Sequence, residues 1–150
     1  MGQSLVQIYV HAVYSTKLRK PFLRQREDRD RLYAYLAGIH RNQNSPAVTI
    51  GGVEDHVHIL FRLGKTVDLS NLFRATKKDS SAWVKSELKI PDFYWQVGYG
   101  AFSISPGHVA AVTNYIENQE EHHRTVSFQD EFRQLCRKNG VEIDERYVWD

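Results

Sequence analysis

Two histidines stand one residue apart in the segment Gly51-Gly52-Val53-Glu54-Asp55-His56-Val57-His58-Ile59-Leu60-Phe61. The segment reads as strand, tight corner, strand. Side chains at i and i+2 of a strand share a face. His56 and His58 therefore project together, while Val57, Ile59 and Phe61 turn the other way, toward a core. Two imidazoles on a rigid strand make half of a metal site. The same spacing also describes an ordinary pair of half-exposed strand histidines, so a metal reading needs a third donor.

A second stretch supplies one. Over 107–124 the sequence has helical spacing, with Val109, Val112 and Ile116 as its apolar stripe. A stripe offset by about one residue (~100°) carries His108, Ala111, Tyr115, Gln119 and His122. Tyr115 and Gln119, at i and i+4, lie one turn apart on the same side. Set against the strand histidines, this region offers Gln119, His122 or His123 as the third donor. An imidazole is the stronger choice on chemistry alone. An incomplete protein shell leaves coordination positions open, as a catalytic metal needs. A phenol has an ordinary pKa near ~10 and is a weak nucleophile at neutral pH. A divalent ion on a phosphodiester does the complementary job, polarising phosphorus and steadying the leaving oxygen. Attack by Tyr115 would leave a phosphotyrosine and a free hydroxyl, and the linkage would keep the bond energy for rejoining.

The bulk composition sets the frame. The chain has 150 residues, the size of one domain, with 41% hydrophobic and 12% aromatic residues, enough to bury a core. A net charge of +2 permits a polyanionic partner without demanding one. The single cysteine, Cys136, excludes an internal disulfide and suits a reducing cytosol. No apolar run approaches the ~18 residues of a membrane span, and the first residues lead straight into a strand pattern with no signal peptide.

Periodicity predicts the elements that position these groups. They are a strand over 5–14 containing His11, a basic turn over 15–21, and an amphipathic helix over 24–42 with Leu32, Tyr35, Leu36 and Ile39 inward. Strands over 47–54 and 56–63 follow, then a helix capped by Asp68 or Ser70 and running to about 88. The aromatic, glycine-rich run 93–105 reads as two short strand pieces around Gly98-Tyr99-Gly100. Ser105 and Pro106 open the helix 107–124. A short helix over 128–139 and an extended tail over 140–150 close the chain, with Tyr147-Val148-Trp149 docking on the body or on a partner chain. This order is that of an α+β ferredoxin-like sandwich. It implies an antiparallel sheet of four to five strands, helices packed on one face and a C-terminal tyrosine-bearing helix. The chain reads as one domain, 1–150, with a core over about 5–125 and a C-terminal helix and tail over 126–150. Lys17, Arg19 and Lys20 have no acid among them, and Arg74, Lys77 and Lys78 stud one helix. These are the candidate phosphate contacts. Aromatic rings beside such a helix suit stacking with unpaired bases, or simply fill the core.

Four pieces taken in order carry a family resemblance. They are Tyr14-Ser15-Thr16-Lys17-Leu18-Arg19-Lys20-Pro21, Asp55-His56-Val57-His58-Ile59-Leu60, Trp95-Gln96-Val97-Gly98-Tyr99-Gly100-Ala101-Phe102-Ser103, and Tyr115-Ile116-Glu117-Asn118-Gln119-Glu120-Glu121-His122-His123. Together they resemble the single-tyrosine HUH transposases of the insertion-sequence-200/605 type, over nearly the whole chain from Val6 to about Asp150. The resemblance implies His56 and His58 as the metal-binding pair, Gln119 as the third ligand and Tyr115 as the nucleophile. It implies Mg²⁺ as the metal, with Mn²⁺ a substitute. It further implies single-stranded DNA hairpins as substrate, 5′-phosphotyrosine chemistry, a cytoplasmic setting at the nucleoid, and a homodimer whose sites can be composite. Two readings compete with strand cleavage and rejoining: a non-catalytic or domesticated hairpin-binding module, and a metal-dependent nuclease that uses water.

Overall fold

The structure, a computed structural model, describes residues 2–150. Its elements are β1 (Tyr9–Ser15), a 3-10 turn (Lys17–Arg19), α1 (Arg26–Asn42), β2 (Ala47–Val53), β3 (His56–Arg62), α2 (Leu69–Glu87) and β4 (Gly100–Ile104). A second 3-10 turn (Pro106–His108) leads into α3 (Val109–Glu117), α4 (Gln119–His122) and α5 (Phe128–Lys138). The four strands form one antiparallel sheet in the order β2-β3-β1-β4. This is the ferredoxin-like arrangement that the order of elements predicts. Among the described residues no helix is long and apolar enough to cross a membrane.

Strand alternation gives the sheet two different faces. Val10, Ala12 and Tyr14 of β1 and Val57, Ile59 and Phe61 of β3 meet Leu32, Leu36, Leu72, Phe73 and Val84 of α1 and α2 in the main core. The opposite face carries His11, Val13 and Ser15 beside His56 and His58, since Val13 pairs with His58 and Ser15 with His56. Both histidines are buried, at 1% and 0% exposure, unlike the ordinary half-exposed pair that the same spacing describes. The cover is α3, α4 and α5. Phe128, Phe132 and Cys136 of α5 pack on Val13 and Phe102 there. Helices thus lie on both faces: α1 and α2 on the core side, the tyrosine-bearing helix and α5 on the histidine side.

Local chemistry fixes several boundaries. Asp68 caps α2, its carboxylate accepting the Asn71 N–H at 2.8 Å, and Ser127 caps α5 in the same way. Ser105 does not cap a helix; its hydroxyl instead bonds His108 Nδ1 at 2.6 Å. The first strand is shorter than its apolar run. Leu5 is 82% exposed: the β3 and β4 ladders end opposite Tyr9, and although the Ile8 carbonyl still accepts the Leu63 N–H at 2.8 Å, residues 5–7 have no ladder to join. Of the two strand pieces expected in 93–105, only β4 forms. Phe93 and Trp95 point into the core from a loop that meets the chain just past β1 in an isolated bridge, Thr16 to Trp95. The Gln96 side chain completes the contact by accepting the Ser15 N–H at 2.7 Å. Of the two places open to it, the tail docks on the body: Trp149 sits against Phe128 and Phe132, and the Asp150 carbonyl accepts the Gly98 N–H.

Candidate active site

The helix expected over 107–124 is interrupted. Asn118 leaves helical geometry at φ −105°, ψ 25°. Its side-chain amide donates to the Asn114 carbonyl at 2.7 Å, competing with the backbone for that acceptor. The break separates α3, which holds Tyr115, from α4, which begins at Gln119, yet both side chains still reach the sheet. Close approach is possible because Gly51 of β2 lies under α3. A Cβ there would collide with the carbonyl oxygen of Ile116. Gly51→Ala should therefore displace the tyrosine helix. A misplacement on the order of 1 Å at a reacting group costs about 10²-fold in rate. The expected result is such a loss of activity with an unchanged circular dichroism spectrum.

All four groups singled out by spacing converge within one chain, and they do so around a residue that spacing did not single out. Glu131 of α5 is 2% exposed and sits between them. Its Oε1 lies 3.0 Å from His58 Nε2 and 3.3 Å from His56 Nε2. Its Oε2 accepts from the Tyr115 hydroxyl and from the Gln119 amide at 3.1 Å. Gln119 Oε1 faces His56 Nε2 at 3.2 Å. His123 Nε2 approaches Oε1 at 3.1 Å. His122 Nε2 is 3.2 Å from Oε2 but off the line of a hydrogen bond, and that nitrogen has no hydrogen-bond partner among the described residues. Behind the pair, Asp55 accepts from His56 Nδ1 at 2.7 Å, and His11 Nε2 meets His58 Nδ1 at 2.8 Å.

Burial and charge tune these groups apart. Burial opposes a charged His56, but hydrogen bonds to Asp55 and Glu131 outweigh it and raise its pKa to about 9. Burial prevails at His58 and His11, lowering them to about 4 and about 3. Burial also opposes ionisation of Glu131. Hydrogen bonds from His123, His56 and His58 nonetheless hold its carboxyl well below the ordinary value. The Tyr115 phenol is pushed up, first by burial and then by the Glu131 charge. Left to itself, the tyrosine is a protonated hydrogen-bond donor rather than a phenolate. Donor atoms of His56, His58, His123 and Glu131 all lie within 4.8 Å of one another, so this cluster could hold a metal ion. A cleft of about 340 Å³ opens beside Tyr115, walled by Phe102, Ala111, Leu135 and Lys138.

Residues 4–119 match the family described as IS200-like transposases. The chain belongs to that family. The match ends at Gln119, short of His123 and Glu131. Among solved structures, this IS200-like transposase resembles a candidate transposase from Deinococcus radiodurans R1. That pair has a TM-score of 0.62 and 25% identity, covering 79% of this chain and 96% of the other. It also shares its fold with a REP-associated tyrosine transposase bound to a REP hairpin. There the TM-score is 0.60 and the identity 15%, covering 84% of this chain and 74% of the other. No curated protein matches the chain in sequence.

The candidate phosphate-binding cations lie in different settings. Lys17 and Lys20 are exposed beside β1, and Arg19 lies over the Trp149 ring. Arg74 and Lys78 are exposed on α2. They border a groove of about 510 Å³ that Tyr94, Val97 and Tyr99 close on the far side. Lys77 is different. Its ammonium donates to the carbonyls of Gln96, Val97 and Gly98 at 3.0, 3.1 and 2.6 Å, and burial lowers its pKa to about 8. It fastens the 96–98 loop to α2 and has little left for a phosphate.

Periodicity missed Glu131, although a signal was present. Phe128, Glu131, Phe132, Leu135 and Cys136 follow the i, i+3, i+4, i+7, i+8 pattern of a buried stripe, and an acid on such a stripe needs a partner. His11 carries no comparable signal, because its partner is diagonal across β1 and β3.

Proposed function

We propose that this chain cuts and rejoins single-stranded DNA through a 5′-phosphotyrosine intermediate on Tyr115, assisted by a divalent ion at His56, His58 and Gln119. The observation that carries the reading is the meeting of the Tyr115 hydroxyl and the histidine pair at one buried carboxylate, within a transposase family. The ion, when bound, polarises the phosphodiester and stabilises charge on the leaving oxygen. Tyr115 is aimed from α3 by the Gly51 contact. Its proton points at Glu131 Oε2; as the Tyr115 oxygen bonds to phosphorus and the bond from phosphorus to the 3′ oxygen breaks, that proton passes by way of the carboxylate to the 3′ oxygen, which leaves as a hydroxyl. His11 and Asp55 orient the two strand histidines. The cleft beside Tyr115 has room for one nucleotide of the cut strand. Mg²⁺ or Mn²⁺ suits phosphoryl chemistry of this kind. Hairpin substrates are supported by the fold shared with a relative bound to a REP hairpin. The setting is the cytoplasmic nucleoid. The meeting of Tyr115 and the histidine pair within one chain supports a site completed in cis, with or without a homodimer.

The direct test is a denaturing gel of the chain with labelled single-stranded hairpin DNA from the flanks of its gene. A metal-dependent, slowly migrating adduct supports the reading. Shortened DNA without an adduct indicates hydrolysis by water, and binding without cleavage indicates a hairpin-binding module. We place the DNA backbone along the groove of Arg74 and Lys78, with Tyr94 as a stacking surface. The double substitution Arg74→Ala, Lys78→Ala should weaken hairpin binding by about 10-fold near ~0.1 M salt and reduce the salt slope by about 2. A titration at several salt concentrations reads both quantities.

A further inference from the structure

Helix α5 lies beyond the residues that match the family, yet its Glu131 stands among the histidines. Glu131 Oε1 is 3.0 Å from His58 Nε2, 3.1 Å from His123 Nε2 and 3.3 Å from His56 Nε2. One carboxylate oxygen offers about two lone-pair directions. His58 and His123 occupy both, and His56 Nε2, at 3.3 Å from the same oxygen, turns to Gln119 Oε1 at 3.2 Å. The outer nitrogens sharpen the point. His56 Nδ1 faces Asp55 Oδ1 at 2.7 Å, and His123 Nδ1 faces the Val126 carbonyl at 2.6 Å. The Val126 carbonyl can only accept, and so can the ionised Asp55 carboxylate, so both Nδ1 atoms carry hydrogen. With Nδ1 engaged outward, both Nε2 atoms turn inward, toward the oxygens of Glu131 and Gln119. Imidazole nitrogens and oxygens converging at this spacing match the arrangement of donors around one divalent ion. Bonds near ~2.1 Å set neighbouring donors about 3 Å apart. An outer N–H on a carboxylate or carbonyl is the usual support of a ligating histidine.

We propose that the metal site of this chain has four principal protein donors, His56, His58, His123 and Glu131, and that the bound ion locks α5 onto the sheet. The inference rests on the metal reading of the same site and adds two ligands, a metal class and a structural role. All four donor atoms lie within 4.8 Å of one another. Gln119 remains a weaker fifth contact through Oε1, 3.2 Å from His56 Nε2. Three imidazoles with one carboxylate suit ions of the Mn²⁺ or Zn²⁺ class. Mg²⁺ prefers an oxygen shell and keeps several of its waters. Glu131 uses its second oxygen for the Tyr115 hydroxyl, so one carboxylate ties the ion, the tyrosine and α5 together.

The test uses the full chain, stripped with a chelator and titrated with Mn²⁺, Zn²⁺ and Mg²⁺ by calorimetry. Hydrogen exchange of the α5 amides is measured with and without metal. Mn²⁺ and Zn²⁺ are expected to bind at least ~100-fold more tightly than Mg²⁺. Glu131→Gln and, separately, His123→Asn should each weaken Mn²⁺ binding at least ~10-fold. Metal should slow α5 exchange in the parent chain and lose that effect in both variants. His123 is at the edge of the cluster, so its variant serves even if Glu131→Gln folds poorly. Unchanged Mn²⁺ affinity in His123→Asn or in a folded Glu131→Gln overturns the four-donor site. So does α5 exchange that saturating metal leaves unaltered in the parent chain. If DNA–protein adducts persist in variants with unchanged metal affinity, strand cleavage stands and only this ligand set falls. If the parent chain forms no adduct yet binds Mn²⁺ as described, the reverse holds.

Discussion

Tyr115→Phe is expected to remove the covalent DNA adduct completely and to lower strand cleavage by at least ~10⁴-fold, the scale of losing a nucleophile. The substitution deletes one oxygen and keeps the ring. That ring stands edge-on to His11 and His58, with centroids 6.2 and 5.7 Å away. The packing survives, and the hydroxyl contact to Glu131 is the hydrogen bond lost. Its loss costs about 1 kcal/mol of stability, so the variant should still fold, bind hairpin DNA and melt within several degrees of the parent. Cleavage that continues without an adduct would show water to be the nucleophile. The same substitution tests where the site is completed. Tyr115 and the histidine pair meet in one chain, so a mixture of Tyr115→Phe and His56→Ala chains should restore no adduct. Recovery would require the tyrosine helix of one chain to serve the histidines of another.

The second large effect concerns stability. Glu131→Ala should destabilise the metal-free chain by about 3–5 kcal/mol near neutral pH, because it removes one side of a buried, hydrogen-bonded charge cluster. Glu131→Gln keeps part of the hydrogen bonding and should cost less. The pH profile carries the sign. His56, raised to about 9, contributes stability that is complete below its ordinary 6.5 and is lost as pH rises through 9. Glu131 is lowered, so its contribution is present above its ordinary 4.5 and is lost as pH falls below that. His58 and His11 are lowered to about 4 and about 3, so theirs is present above 6.5 and is lost as pH falls toward those values. Thermal midpoints measured with a chelator from pH 4 to 10 should therefore peak near the ordinary histidine value of ~6.5. Burial also lowers His40, which adds to the acid side, while Lys77, lowered to about 8, regains stability as pH rises and offsets His56 on the alkaline side, so the acid limb should be steeper. In Glu131→Ala the alkaline decline should shrink, since His56 loses a main cause of its raised pKa. An unchanged alkaline limb in that variant would show that Asp55 alone holds His56 charged.

Much of the site was legible because it depends on short-range periodicity. The two-residue repeat of β3 puts His56 and His58 on one face, and a helical turn puts Tyr115 near Gln119. The apolar stripes of α1 and α2, the Asp68 cap and the order of strands and helices follow from the same local rules, and they give the ferredoxin-like sheet. What the sequence left open depends on partners distant in the chain. Residues 5–7 look like strand but lie past the ends of the strands they would pair with. The helix over 107–124 is broken because Asn118 captures a carbonyl of the preceding turn. Lys77 looks like a free cation, but the loop that follows α2 folds back and accepts three hydrogen bonds from its ammonium. His11 and Glu131 enter the site from β1 and α5, which are 47 and 73 residues from His58 in the chain. No spacing rule links residues so far apart. Their meeting is set by the β1–β3 register and by the packing of Phe128, Phe132 and Cys136 on the sheet. Local spacing thus determined which side chains could do chemistry here. Only tertiary packing decided that a buried glutamate, rather than open solvent, stands at their centre.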